Sequence, residues 1–361
     1  MKIRSVDVIP LQIPFEDGSA GTGLMPVKWT KLDIALVRLE TVDGVVGWGD
    51  GFAYFCRRAT VAAIEDMVAP LVIGREIEDI AAFNLEMQQR LHLNGRYGIT
   101  MFAISAIDVA LWDIAAKEAG VPLAELIGGR KRTALPAYAS LVRYADPDLV
   151  RRFTEQAVSE GYRTIKLHEI ALEAIEAGRA GAGDDVKLVT DVNCNWSLQK
   201  THELMPHMKR LDLYWVEEPV FPPDDAATLG DLQTQYGVAI ASGENACTSV
   251  EFQRTAPRIK YVQPSVTKVG GVSEFLRVCD VAEQHGATVM PHAPYFGPGY
   301  WATIQLMAAR ENCEQFEHFY VRPEAYLDAD IVLPQAGSVT VSSRPGIGIE
   351  PDLEVLARYR V

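Results

Sequence analysis

The sequence predicts an α/β fold: a TIM-type (β/α) barrel with an N-terminal α+β capping domain and a C-terminal tail returning to it. Three observations carry that expectation. From about residue 131, short apolar runs recur eight times with amphipathic stretches between them, the strand count of such a barrel. Before that point strand patterns come first and long helical patterns follow, the order of a separate α+β unit. Finally, Asp191, Glu217 and Glu244 each close one of the apolar runs, 26 and then 27 residues apart, about one strand-plus-helix unit. Periodicity alone leaves a doubly wound open sheet possible. A chain of 361 residues has ample length for two domains. The expected boundaries are 1–130 for the capping domain, 131–330 for the barrel and 331–361 for a C-terminal segment packing on the capping domain.

In the first third, KIRSVDVIPLQIP and DIALVRLETVDGVVGWGD alternate apolar and polar residues, with Asp43-Gly44 as a hairpin turn. Helical patterns follow at about 59–70, 79–92 and 99–119. The last ends at Gly120, a C-cap signal ahead of Val121-Pro122. LIGGRKR then breaks the pattern near residue 130. The eight strand candidates are 135–142, 164–169, 187–193, 213–219, 239–245, 261–266, 288–294 and 315–319. Gly270-Gly271 lacks the spacing of a phosphate-binding loop and reads as a tight turn.

A net charge of −14 without any basic block argues against nucleic acid and anionic membrane surfaces as partners. The N-terminus begins as a strand, without the pattern of a signal peptide. No uninterrupted run approaches the roughly 18 apolar residues of a membrane span. Cys56, Cys194, Cys247, Cys279 and Cys313 are scattered, odd in number and free of CxxC spacing. Reduced thiols in a cytoplasmic protein are therefore expected.

Parallel strands joined by right-handed crossovers bring their C-terminal ends onto one face. A single acid at a strand end is ordinarily a loop or capping residue. Three of them in register would repel one another unless a cation sat between them, and a hard divalent ion with oxygen ligands, Mg²⁺ first, suits that donor set. The same rule applied to the other strands adds Lys166 and His168 on strand two, Ser265 and then Lys268 on strand six, His292 on strand seven and Glu317 on strand eight. Asn193 shares a face with Asp191 and is a candidate for positioning substrate. His318 and Glu218 alternate to the opposite side from their neighbours Glu317 and Glu217. The far end of a substrate is expected to meet the capping domain, where Lys28, Trp29, Tyr54, Arg57 and Arg58 are candidate contacts.

These motifs together resemble the mandelate racemase/muconate lactonizing enzyme branch of the enolase superfamily. AISAIDVALWDIAAKEAGVPLAELIGG resembles the passage from that family's capping domain into its barrel, and GYRTIKLH, LVTDVNCNW, VEEP, SGEN, QPSVTKVGG and the late PH follow in order. The resemblance implies that Asp191, Glu217 and Glu244 bind Mg²⁺, which holds a substrate carboxylate. It further implies that a proton α to that carboxylate is abstracted through a stabilised enediolate. Two positions depart from the family pattern. Lys166-Leu167-His168 stands where Lys-x-Lys is usual, placing His168 at the base position with Lys166 beside it. Ser265 stands where an Asp or Lys is usual, so His292 lacks its usual carboxylate partner from that position. The expected outcome is dehydration or cycloisomerisation of a sugar acid, anhydro-sugar acid or lactone, with Lys166, His168 and His292 as the catalytic set. Racemisation or epimerisation of an α-substituted acid is the alternative, and a non-catalytic carboxylate-binding relative is a third possibility. The expected partner is a small-molecule carboxylate, and the expected assembly a homo-oligomer.

Overall fold

The computed structural model describes residues 1–18, 29–293 and 295–361. Strands β1 (Ile3–Glu16), β2 (Lys31–Thr41) and β3 (Val46–Gly51) form an antiparallel meander. Gly44, between β2 and β3, has φ +86°, a conformation that glycine adopts without steric cost. In β3, VGWGDG, successive side chains point to opposite faces. Gly47, Gly49 and Gly51 meet the helix Ile99–Glu118 so closely that a Cβ on any of them would collide with a helix carbonyl or side chain. Trp48 and Asp50 therefore point the other way, towards the barrel.

The helix Ile99–Glu118 has the length and apolar content of a membrane span, yet 78% of that stretch is buried inside the protein. Its composition reflects burial between the sheet on one side and the barrel on the other. Trp112 Nε1–H donates to Ser273 Oγ across the second contact (2.9 Å).

The barrel strands are β4 (Ala134–Ser140), β5 (Thr164–Leu167), β6 (Lys187–Asp191), β7 (Leu213–Glu217), β8 (Ile240–Ser242), β9 (Tyr261–Val262), β10 (Thr288–Val289) and β11 (Phe316–Phe319). Each pairs parallel with the next from β4 to β10, and β11 pairs parallel with β4. A bridge between Val289 and Cys313 completes the ring. The eight-stranded α/β barrel is thus present, and the open-sheet alternative falls. Tyr138, Val189, Trp215, Ala241, Tyr261 and Met290 fill its interior as an apolar plug, so polar side chains further along the same inward faces emerge at the C-terminal mouth.

After the barrel, β12 (Arg322–Pro323) pairs with β1 and β13 (Ser338–Thr340) pairs antiparallel with β4. The tail then returns to the capping domain. A bridge joins Leu11 to Arg360, and Val361 N–H donates to the Pro10 carbonyl (3.1 Å). The C-terminal segment thus divides its contacts between the two domains.

Buried carboxylates of the capping domain also grip barrel helices at their N-termini, where negative charge is favourable. Asp108 accepts from Ser273 N–H (2.9 Å), Ser273 Oγ (2.6 Å) and Asn84 Nδ2 (2.8 Å) at the start of the helix Gly271–His285. Asp50 accepts from Gly299 N–H (2.5 Å) at the start of the helix Pro298–Ala309.

Candidate active site

Asp191, Glu217 and Glu244 converge at the mouth, with one oxygen of each within 4.8 Å of the others. Asp191 and Glu217 are adjacent register partners on β6 and β7, whereas Glu244 lies just past β8. Two like charges about 4 Å apart repel by about 4 kcal/mol at an effective permittivity of roughly 20. Lys166 offsets part of this: its Nζ lies 3.0 Å from Asp191, 2.5 Å from Glu217 and 3.2 Å from Glu317. Burial pulls the Lys166 pKa down, but the three carboxylates outweigh it and hold the ammonium charged. Burial and then the charge of Asp191 push the Glu217 carboxyl well above the usual range. Asp191 Oδ2 is buried and, although close to Nζ, has no aligned hydrogen-bond donor. An all-oxygen cluster under this pressure, with an orphaned inward oxygen, fits a hard divalent cation.

Glu217 is fixed from both sides, since Trp215 Nε1–H, two residues earlier on the same face, donates to its other oxygen (3.1 Å). Glu244 lies between Lys268 Nζ (3.4 Å) and His292 Nε2 (3.2 Å). Burial opposes its ionisation, but Lys268 and His292 outweigh that and hold the Glu244 carboxyl low. Glu317 joins the cluster through Lys166 and accepts from Ala293 N–H (3.2 Å). Asn193 donates its backbone N–H to Asp191 (2.8 Å).

His168 sits beside Asp191, with Nε2 3.5 Å from Oδ2. Its Nδ1 is 2.5 Å from the Leu141 carbonyl. A carbonyl can only accept, so Nδ1 carries the hydrogen and the Nε2 lone pair faces the site. Burial lowers the His168 pKa; Asp191 opposes this and Lys166 reinforces it. His292 is held differently: its Nε2 lies 3.2 Å from the Glu244 carboxylate, within reach for an Nε2–H. Burial presses the His292 pKa to about 4 despite Glu244. Glu244 meets His292 on the Nε2 side, and Nδ1 has no hydrogen-bond partner among the described residues.

Over the mouth lies an aromatic wall. Trp29 stacks on Phe319 (5.0 Å between centroids) and lies 4.2 Å from Tyr54, which stacks on Tyr295 (6.5 Å). The Trp29 indole N–H is used on the Lys31 carbonyl (2.7 Å), and the buried ring anchors the wall from below. Lys28 lies outside the described residues. Arg57 is bound to Asp33 (2.7 Å) and Arg58 is exposed, so neither is placed in this wall. His318 packs among Tyr162, Phe296 and Tyr300, away from the carboxylates.

Two residues here were not singled out by the sequence. Arg143, just beyond β4, donates to the His168 carbonyl (2.5 Å) and to Asn193 Oδ1 (3.3 Å), tying strands one, two and three together at the mouth. Tyr295 lies 6.1 Å from the His292 ring. Arg143 could have been suspected as the first charged residue past strand one; the position of Tyr295 in a loop carried no comparable signal.

Comparison with known proteins agrees with this architecture. Residues 26–128 match the family model described as mandelate racemase / muconate lactonizing enzyme, N-terminal domain, and residues 148–355 match that described as enolase C-terminal domain-like. The chain belongs to the mandelate racemase/muconate lactonizing enzyme branch of the enolase superfamily. Among its relatives, the arabinonate dehydratase of Saccharolobus solfataricus is 29% identical, with 88% of each chain covered. The 3,6-anhydro-alpha-L-galactonate cycloisomerase of Streptomyces coelicolor is 28% identical, covering 98% of this chain and 97% of the relative. A solved structure of a mandelate racemase/muconate lactonizing protein from Paracoccus denitrificans complexed with magnesium superposes with a TM-score of 0.88. It is 25% identical and covers 100% of this chain and 98% of that one.

Proposed function

We propose that this enzyme removes the proton α to the carboxylate of a sugar acid, anhydro-sugar acid or sugar-acid lactone and expels a β-oxygen, by dehydration or cycloisomerisation. The observation that carries this reading is the pair of imidazoles set against the carboxylate cluster. The Leu141 carbonyl takes Nδ1–H of His168 and leaves its Nε2 to receive a proton, while His292 Nε2 lies 3.2 Å from Glu244 and is read as the N–H donor. Asp191, Glu217 and Glu244 would hold the cation, Mg²⁺ by the chemistry of an all-carboxylate set. A divalent ion there supplies Lewis acidity that draws charge onto the substrate's carboxylate oxygens.

His168 takes the α-proton at Nε2, while the Leu141 carbonyl holds Nδ1–H and keeps the ring aligned. The C–H electrons are drawn first onto the substrate's carboxylate; they then return to form the new C=C bond as the β C–O bond breaks, and His292 Nε2–H delivers a proton to the leaving oxygen. Lys166 places a fixed positive charge beside the carboxylate where negative charge grows. The aromatic wall excludes water and offers ring faces to the sugar's C–H edges. The dehydratase and cycloisomerase names of the relatives support this class of reaction.

The test is a panel of acid sugars and lactones with Mg²⁺, followed by proton NMR in D₂O. Loss of water or ring opening, with deuterium taken up at the former β-carbon as the enol product becomes a 2-keto acid, is the expected result. Deuterium appearing in unchanged or epimerised acid, without elimination, would instead establish a racemase. No exchange with any carboxylate would favour a binding protein.

A further inference from the structure

His292 Nδ1 is buried, and no group among the described residues makes a hydrogen bond to it. Leaving such a nitrogen unsatisfied costs about 1–3 kcal/mol. The His292 residue borders a small cavity of about 10 Å³ also lined by Asp50, Ser265, Thr267, Tyr300 and Thr303, about the room that one water needs. Thr303 is committed to the Gly299 carbonyl (2.7 Å). Ser265 Oγ lies 3.3 Å from Thr267 Oγ1, and a hydrogen bond accepted from Thr267 leaves the serine hydroxyl hydrogen free.

Asp50 reaches this place because β3 turns its glycines to the helix Ile99–Glu118 and its alternate residues to the barrel. The loop after strand seven makes room for it, since a Cβ on Gly297 would collide with Asp50 Oδ2. Phe52 N–H also donates to the Thr267 carbonyl (3.2 Å), so the end of β3 is docked on the strand-six loop. Asp108, the corresponding helix-capping carboxylate, has its oxygens occupied by three donors. At Asp50 the Gly299 N–H is the hydrogen bond recorded among the described residues.

We propose that Asp50 is a positioning residue for His292, acting from the capping domain through one water held by Ser265. The hydrogen-bond inventory closes: the water accepts from Ser265 Oγ–H and donates to His292 Nδ1 and to the Asp50 carboxylate. With Nδ1 fixed as an acceptor, Nε2 keeps its hydrogen and aims it into the mouth. The proposal rests on the reading of His292 as the acid and extends it to a second domain. Outer partners of this kind typically change activity by about 10–100-fold.

The test uses Asp50→Asn and Ser265→Val, the second filling the cavity while leaving the Asp50–Gly299 bond intact. In metal-free protein labelled with ¹⁵N-histidine, the His292 ring signals are assigned by their loss in His292→Gln. Wild type is expected to show one tautomer with hydrogen at Nε2, and both variants a shifted Nδ1 signal with mixed tautomers. With metal and a turned-over acid sugar, product formation is expected to fall about 10–100-fold with little change in KM, while deuterium exchange at the α-carbon continues. Ring signals unchanged in both variants would overturn the proposal whatever the activity. Equal loss of exchange and product in both variants would overturn it too, since that is the behaviour of a general structural defect. If His292→Gln left product formation intact, the acid assignment would fall instead, and the ring signals would still decide the coupling.

Discussion

Glu217 shows how the site is held together at the scale of single residues. One oxygen accepts from Trp215 Nε1–H and the other from Lys166 Nζ, so its carboxyl plane is set before any ion arrives. Trp215 is itself locked in the barrel plug against Tyr138 and Tyr261 (5.8 and 5.2 Å between centroids). Trp215→Phe keeps an aromatic ring there and removes the donor. Divalent-ion affinity measured by titration calorimetry is expected to weaken about 10–100-fold; unchanged affinity would show that the indole does not orient the ligand. The acids were legible in the sequence because alternation along a strand and regular strand spacing jointly fix where a side chain points. Arg143 was not, because it lies past the end of β4, where no periodicity applies.

Among the elements, β3 and the helix Ile99–Glu118 carry the contact on which the capping domain depends. Gly49 lies against the Ala106 carbonyl with no space for a Cβ, so Gly49→Ala must push sheet and helix apart. Overpacking of this kind costs about 1–3 kcal/mol, and a loss of that size is expected in chemical denaturation; unaltered stability would show that the contact is slack. The helix and the eight barrel strands were readable from apolar periodicity. Three strands fall furthest short of their apolar runs: β8 is Ile240–Ser242, β9 Tyr261–Val262 and β10 Thr288–Val289. There the chain leaves the ladder early and bends into the loops bearing Glu244, Ser265 and His292. Apolar content continues through such a bend because the loop remains buried, which is why the pattern could not show where pairing stops. The side of β3 facing the barrel was hidden too, although the glycines at alternate positions in VGWGDG were its visible trace.

At the scale of the whole molecule, the capping domain supplies more than a cover. It brings Trp29 and Tyr54 over the mouth, sets Asp108 and Asp50 at the starts of two barrel helices, and is gripped in turn by the C-terminal tail. The pairing of β13 with β4 was not legible, because three residues are too few to carry a pattern. What all of this positions is a carboxylate cluster beside an imidazole with its lone pair turned inward. The most direct measurement is α-proton exchange in D₂O with a substrate from the acid-sugar panel, comparing wild type and His168→Asn with Mg²⁺ and wild type after metal removal by chelation. Wild type is expected to exchange only when the divalent ion is present, and His168→Asn to bind the ion normally without exchanging. Exchange that persists in His168→Asn would contradict the assignment of the base, and exchange that persists in chelated wild type would contradict that of the metal.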